Sequence, residues 1–237
     1  MVGKKLFQAI LDFVLPAFCG ICYRPLEKDE RVVCEECMSQ IQFISEPYCL
    51  RCGKPTKGEK VCMDCFVYPH RLLRIRALGV YAGVLASLIH LLKYTRKLSL
   101  AARLGKMMSK LVIEDNFLSR VQLIVPVPLH PTRMRERGYN QSELLARNIG
   151  EYLNIPISTK SLLRVRNTKS QTRLSPEQRR ENVRGAFMLK DTKDIANKHI
   201  LLVDDVFTTG ATLDECAIAL IDGGAAAVYA ITCAATV

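Results

Sequence analysis

The chain has 237 residues, 24% charged and 49% hydrophobic, a globular composition that leaves room for one large domain or two small ones and excludes disordered and collagenous classes. Thirty-four Lys and Arg against 23 Asp and Glu give a formal net charge of +11, which favours polyanionic partners: nucleic acid, polyphosphate or an anionic membrane. No apolar run approaches the ~18 to 20 residues needed to cross a bilayer, so the sequence predicts no transmembrane segment.

Lys4-Lys5 and the apolar stretch from Leu6 to Leu15 superficially mimic a secretory signal. Gln8 and Asp12 interrupt it, however, and no small-x-small cleavage site precedes Cys19. The segment reads as an amphipathic helix within residues 1–18, stopped by Pro16, with Leu6, Phe7, Ile10, Phe13 and Val14 packing from one face. The expected location is the cytoplasm, with the inner face of the membrane as the alternative.

Eight of the ten cysteines form four Cys-x-x-Cys knuckles: Cys19/Cys22, Cys34/Cys37, Cys49/Cys52 and Cys62/Cys65. Each knuckle places two thiolates on one turn, and two knuckles complete a tetrahedral zinc site. Sequential pairing is simplest; an interleaved cross-brace is the alternative. Gly20 and Gly53 suit the turns, and Val32-Val33 and Lys60-Val61 read as strands leading into the second knuckles. A disulfide framework and a redox dithiol compete with zinc. Cytosolic thiols stay reduced, and a lone redox motif would not recur four times. With all ligand slots filled by thiolate, the two zinc ions expected are structural, and they supply the folding energy that so small a core lacks. Cys216 and Cys233 read as buried small hydrophobes.

Residues 1–65 carry nine basic and nine acidic side chains, so the whole +11 belongs to residues 66–237. That shift sets the expected division: a double zinc ribbon over 19–65 and a second domain over 66–237. No acid lies between Asp64 and Glu114, where Arg74, Arg76, Lys93, Arg96, Lys97 and Arg103 fall, with Tyr81 and Tyr94 as stacking groups. These are candidate contacts to single-stranded nucleic acid; the competing uses are a small anionic ligand and plain solvation.

A buried strand over Val121–Val125 runs into Pro126-Val127-Pro128-Leu129-His130-Pro131. Arg133, Arg135 and Arg137 follow, and on an extended segment their alternation would gather them on one side to neutralise a polyphosphate; a solvated basic loop is the alternative. A helix to Asn154 turns Leu144, Leu145 and Ile149 inward. Residues 164–187 are polar and basic, suited to a mobile cover over an anionic substrate, with Thr168, Gln171, Arg179, Arg180 and Asn182 as its candidate residues.

The most informative segment is 199–212. Ile200–Val203 is a short apolar run expected of a strand buried on both faces, and Asp204-Asp205 end it. Thr208, Thr209, Gly210, Ala211 and Thr212 then turn into a helix with Leu213, Ala217 and Leu220 inward. Strand, turn and helix N-terminus make a phosphate site, because free N–H groups and the positive dipole end converge there. Two carboxylates have the wrong charge for phosphate itself; they suit ribose hydroxyls, or Mg²⁺ through water. Neither G-x-x-x-x-G-K-[ST] nor G-x-G-x-x-G is present. His70, His90, His130 and His199 receive no catalytic role.

This constellation resembles the phosphoribosyl pyrophosphate (PRPP) motif of type I phosphoribosyltransferases. The run Thr168, Gln171, Leu174, Arg179, Arg180, Asn182, Val183, Ala186, Phe187 is joined by Arg137-Gly-Tyr-Asn-Gln141, by Leu88–Tyr94 ahead of the first sheet strand, and by the four knuckles. Together they are similar to the ComF family of competence-related proteins over essentially the whole chain. Thr95-Arg96 departs from the pattern, where a Gly is expected soon after Lys93-Tyr94. The resemblance implies an α/β fold: a type I phosphoribosyltransferase-like parallel sheet with flanking helices, plus the small N-terminal four-cysteine zinc-ribbon module. It implies that Asp204 and Asp205 hold the ribose hydroxyls of PRPP, that Thr208–Thr212 cradle its 5′-phosphate, and that the loop at Val127 and Pro128 with the three arginines receives pyrophosphate, with Mg²⁺. It also implies a role in natural transformation, handling single-stranded DNA beside a DNA helicase. The alternative is an active phosphoribosyltransferase of nucleotide or salvage metabolism that releases pyrophosphate and has no DNA role. Such an enzyme needs no dedicated nucleophile, and none is assigned.

Overall fold

The structure is a computed structural model that describes residues 17–27, 30, 32–95, 97, 99–168 and 174–237. The amphipathic helix expected within 1–18 lies outside the described residues save its last two positions, as do Arg96 and Gln171. In chain order the elements are α1 (Glu35–Ser39), α2 (Met63–Val67), β1 (Arg74–Val80), α3 (Gly83–Tyr94), α4 (Ser99–Glu114), β2 (Leu123–Pro126), α5 (Pro131–Arg137), α6 (Gln141–Leu153), β3 (Leu162–Arg164), α7 (Pro176–Val183), β4 (Phe187–Leu189), β5 (His199–Phe207), α8 (Ala211–Asp222) and β6 (Ala227–Ala235).

Four strands form a parallel sheet in the order β1-β6-β5-β2, and β3 pairs antiparallel with β4 in a separate hood. The central strands are apolar throughout because helices cover both faces. Leu201 and Val203 of β5, with Tyr229, Ile231 and Cys233 of β6, pack toward α3, α4 and α6. Their neighbours Ile200, Leu202, Val228 and Ala230 pack toward α8 and the hood. Cys216 and Cys233 are fully buried in these two layers.

The first sheet strand is β1, not the expected strand near 121–125, so Leu88–Tyr94 follows it rather than precedes it. Arg74 and Arg76 belong to this strand. A second correction concerns the arginine loop. Residues 131–137 are helical, with Pro131 at the first turn, His130 Nδ1 accepting from Thr132 N–H, and Gly138 closing the end at φ 82°. Arg133 and Arg137 therefore share a face while Arg135 points elsewhere.

The cysteine module repeats one hydrogen-bond pattern twice. Cys19 N–H donates to Arg24 C=O and Cys49 N–H to Lys54 C=O, both at 2.8 Å; Gly20 N–H reaches Val32 C=O at 2.9 Å and Leu50 N–H reaches Lys60 C=O at 2.8 Å. The strands expected at Val32-Val33 and Lys60-Val61 are absent. Backbone donors there serve sulfur instead: Cys34 N–H points to Cys19 Sγ at 3.5 Å and Cys62 N–H to Cys49 Sγ at 3.3 Å. The left-handed residue of the first turn is Tyr23 (φ 62°), not Gly20; in the second it is Gly53 (φ 70°).

The module straddles the outer edge of β1. Ile44 N–H bonds Leu78 C=O, Val80 N–H bonds Gln42 C=O, and Ile75 N–H bonds Arg51 C=O at 2.7 Å, so residues 42–51 cover an otherwise open edge. Cys19, Val33, Cys37 and Met38 join the core layer of α3 and α4, whereas Cys49, Cys52 and Cys65 join the layer of Ile75, Phe207 and Leu213. A Cβ on Gly53 would stand 2.7 Å from Ile75 O in addition to its positive φ. Gly53→Ala should cost about 1–3 kcal/mol, read as a lowered urea midpoint; an unchanged midpoint would mean that this docking contact is slack.

Candidate functional site

Three loops at the carboxyl ends of β5, β2 and β3 enclose a cavity of about 520 Å³, the place where open parallel sheets take ligands. Its wall includes Asp204, Asp205, Thr208, Gly210, Ala211 and Thr212 from the β5–α8 connection. Val127, Pro128 and Leu129 add the turn after β2, while Ser142, Lys93, Arg164 and Arg179 come from α6, α3, β3 and α7. The acid pair and the phosphate-type turn thus share one cavity.

Gly210 opens α8 in the left-handed region (φ 79°), where a methyl group would run into His70 and Phe207. Thr209 Oγ1 accepts from Ala211 N–H at 3.5 Å, and the start of α8 faces the cavity. Behind the turn, His70 packs edge-on against Phe207 with centroids 5.9 Å apart, and Arg71 N–H donates to Asp214 Oδ1 at 2.5 Å. The segment joining the second ribbon to β1 therefore buttresses the turn.

Asp204 Oδ1 accepts from Ser142 Oγ at 2.8 Å and from Asp205 N–H at 2.9 Å. Burial first, and then the charge of Asp205, push its carboxyl up to about 7. Strand alternation turns Asp205 to the α3 face, where it meets the Lys93 ammonium in an ion pair. The Asp205 oxygen in that contact is buried. Burial works against the Lys93 charge, but Asp205 more than offsets it and holds the ammonium above its ordinary value.

Arg137-Gly-Tyr-Asn-Gln141 is a brace rather than a wall. Tyr139 OH donates to Leu92 C=O at 2.5 Å, Arg137 lies 5.4 Å over the Tyr94 ring and bonds Gln141, and Asn140 Nδ2 donates to Val127 C=O at 2.9 Å. Of the residues read as a pyrophosphate loop, Val127 and Pro128 line the cavity; Arg133, Arg135 and Arg137 do not appear in its wall, and Arg133 pairs with Glu136 at 3.0 Å. Among the cover residues, Arg179 lines the cavity, Thr168 Oγ1 accepts from Arg164 at 2.5 Å, Arg180 lies 3.8 Å over Tyr68, and Asn182 sits on α7. Sequence reasoning missed Arg164 and Ser142 in this site. Arg164 approaches the Phe187 ring at 5.4 Å, and its buried Nε has no hydrogen-bond partner.

Most of the candidate nucleic-acid contacts have internal partners. Arg74 pairs with Asp115 at 2.9 Å, Arg76 is 7% exposed and lies 3.8 Å over Tyr48, and Arg103 pairs with Glu35 at 2.5 Å. Lys93 is in the cavity, and Lys97 is exposed.

The cysteines group sequentially, as Cys19, Cys22, Cys34, Cys37 and as Cys49, Cys52, Cys62, Cys65, with the sulfurs of each group all within 4.8 Å of one another. Sulfur separations of 3.8 Å (Cys19–Cys37), 3.7 Å (Cys22–Cys34) and 3.6 Å (Cys52–Cys62) match the ~3.8 Å edge of a tetrahedron with zinc–sulfur bonds of about 2.3 Å. Burial opposes ionisation of Cys19 and Cys49, yet backbone N–H donors outweigh it and lower the thiols to about 6 and about 7. Both groups fit zinc.

The double zinc ribbon domain family matches residues 10–66, and the phosphoribosyl transferase domain family matches residues 140–237. DNA utilization protein YhgH of Escherichia coli K12 is 34% identical over 218 residues, covering 90% of this chain and 95% of its own. Competence protein F of Haemophilus influenzae is 32% identical, covering 83% of this chain and 87% of its own. Competence protein ComFC of Bacillus subtilis is 31% identical, covering 85% and 82%.

Proposed function

The chain belongs to the ComF family of competence-related proteins, and from that premise we propose that it binds PRPP in the β5–α8 cavity and acts in DNA uptake, handling single-stranded DNA beside a helicase. One observation carries the ligand: the acid pair and the phosphate-type turn line a single cavity under an arginine-bearing hood. Thr208–Thr212 and the start of α8 take the 5′-phosphate, Asp204 and Asp205 accept from the ribose hydroxyls, and Val127–Leu129 with Arg164 and Arg179 face the pyrophosphate. Mg²⁺ accompanies the pyrophosphate and neutralises its charge. The two cysteine groups hold structural zinc, and elemental analysis of protein purified without chelator should give two ions per chain; one or none would sink that assignment.

For DNA, the exposed basic groups of the acid-free stretch include Lys97 and, one turn apart on α4, Lys106 and Lys110. Their contacts should be phosphate-directed, so single-strand affinity should fall steeply as salt rises; a flat response would remove the phosphate-tracking role.

The ligand is tested by calorimetric titration of PRPP with Mg²⁺ into the full chain, followed by an acceptor screen for pyrophosphate release. Wild type should bind, and Asp205→Asn should bind at least about tenfold more weakly, the scale of one charge-assisted hydrogen bond. Equal affinities would remove the acid pair from the ligand. The same variant should lose DNA uptake in a competent host while keeping its zinc and its thermal transition; normal uptake would reduce the cavity to ancestry. Release of pyrophosphate with some acceptor, together with normal uptake, would favour the metabolic transferase reading instead.

A further inference from the structure

We propose that Lys93 is a resident cation of the acid pair: its ammonium stands against Asp205 where a divalent metal would need an oxygen, so the sugar end of a phosphosugar is captured without metal. This rests on the phosphosugar reading of the cavity and adds who neutralises the carboxylates inside it. Mg²⁺ is then confined to the pyrophosphate group of a ligand that carries one.

Three observations converge on it. Lys93 lines the cavity and contacts Asp205, and it comes from the last turn of α3, outside the segment that matches the phosphoribosyl transferase family. Its two neighbours are each clamped by the brace: Leu92 through its carbonyl by Tyr139, and Tyr94 through its ring by Arg137. The brace also bonds Val127 of the cavity wall through Asn140, so the lysine is fixed against the ligand turn. Finally, two of the four acid oxygens are already engaged. Asp204 Oδ1 already accepts two hydrogen bonds, and one oxygen of Asp205 faces the ammonium. Mg²⁺ demands near-octahedral oxygen ligands at about 2.0–2.1 Å, and a dication beside a buried ammonium is repelled. A ribose hydroxyl has no such conflict. It can donate to a carboxylate oxygen of the pair that the ammonium does not face, while Lys93 donates back to a sugar oxygen.

The test is calorimetry of ribose 5-phosphate, which lacks pyrophosphate, with the zinc-loaded full chain in buffer freed of other divalent metal by a resin. Wild-type affinity should change by less than about twofold when Mg²⁺ is added. Lys93→Gln should lose about tenfold without metal, the scale of one charge-assisted hydrogen bond, and regain it with Mg²⁺. Lys93→Arg should stay close to wild type and remain metal-independent. A wild-type affinity that rises about tenfold with Mg²⁺ would overturn the proposal, as would an unchanged Lys93→Gln. Should Lys93→Gln fail to fold, the wild-type and Lys93→Arg arms still decide. If wild type binds neither ribose 5-phosphate nor PRPP, the phosphosugar reading itself falls; if it binds PRPP but takes ribose 5-phosphate only with metal, Lys93 alone is wrong.

Discussion

Cys52→Ser is expected to abolish cooperative folding around the second ribbon and, with it, PRPP binding, whereas Cys22→Ser should lose one zinc and keep the ligand. Cys52 is buried in the same core layer as Ile75, Phe207 and Leu213; Cys22 is exposed and belongs to the ribbon packed on α3 and α4. The path from the second ribbon to the β5–α8 turn is short. Arg51 donates to His70 C=O at 3.2 Å, Lys54 lies 5.6 Å over the Phe207 ring, and His70 presses on Gly210. A structural zinc contributes roughly 10–16 kcal/mol to a peptide of this kind, comparable to the whole stability of a domain at about 5–15 kcal/mol. With the ribbon unfolded, nothing holds Phe207 and His70 behind the turn, and Gly210 has no reason to keep its left-handed geometry. Elemental analysis should read one zinc in both variants, and calorimetry should find PRPP bound by Cys22→Ser alone. Equal loss of binding in the two would show that the ribbons act as one unit.

The strand, turn and helix start over 199–212 were legible because their signals are local: an apolar run, two acids, small residues and a helix start within fourteen positions. Cysteine pairing was legible for the same reason. Misreadings fall where a distant residue decides the outcome. Arg74 and Arg76 read as a basic surface, but Asp115 and Tyr48 neutralise and cover them, and no local pattern names partners that far along the chain. Their strand was hidden because alternate arginines on a sheet edge look like solvated positions until a second module covers that edge. Lys93 shows the same effect: it reads as a nucleic-acid contact until strand alternation brings Asp205 beneath it. The arginine helix is different. Pro131 and Gly138 are ordinary start and stop signals, and the alternation of charge was given weight that belonged to them.

Asp204→Asn should stabilise the folded protein at and above neutral pH while removing ligand capture. Burial and the neighbouring Asp205 raise the carboxyl to about 7 from an ordinary 3.8, and the Ser142 and Asp205 N–H hydrogen bonds with Lys93 offset only part of that. The unfolded chain releases the carboxyl proton near pH 4, the native protein near pH 7, so between the two the native state binds more protons. Its contribution is therefore fully present below about pH 4, declines as pH rises toward 7, and is lost above it. The full shift would be worth about 4 kcal/mol. Asp204 faces an open cavity, however, and water there screens it, leaving on the order of 2 kcal/mol. Asparagine keeps the Oδ1 acceptor for Ser142 and the Asp205 N–H but carries no charge to desolvate. Urea midpoints of the variant and wild type, compared at matched pH so that the zinc thiolates cancel, should diverge in the variant's favour from about pH 5 to 7 and then run parallel. Coincident midpoints at pH 8 would mean that Asp204 ionises at no cost. The expected divergence is strain that the proposed ribose hydroxyls would offset by donating to this carboxylate, so the substitution that relieves the native state also removes ligand capture.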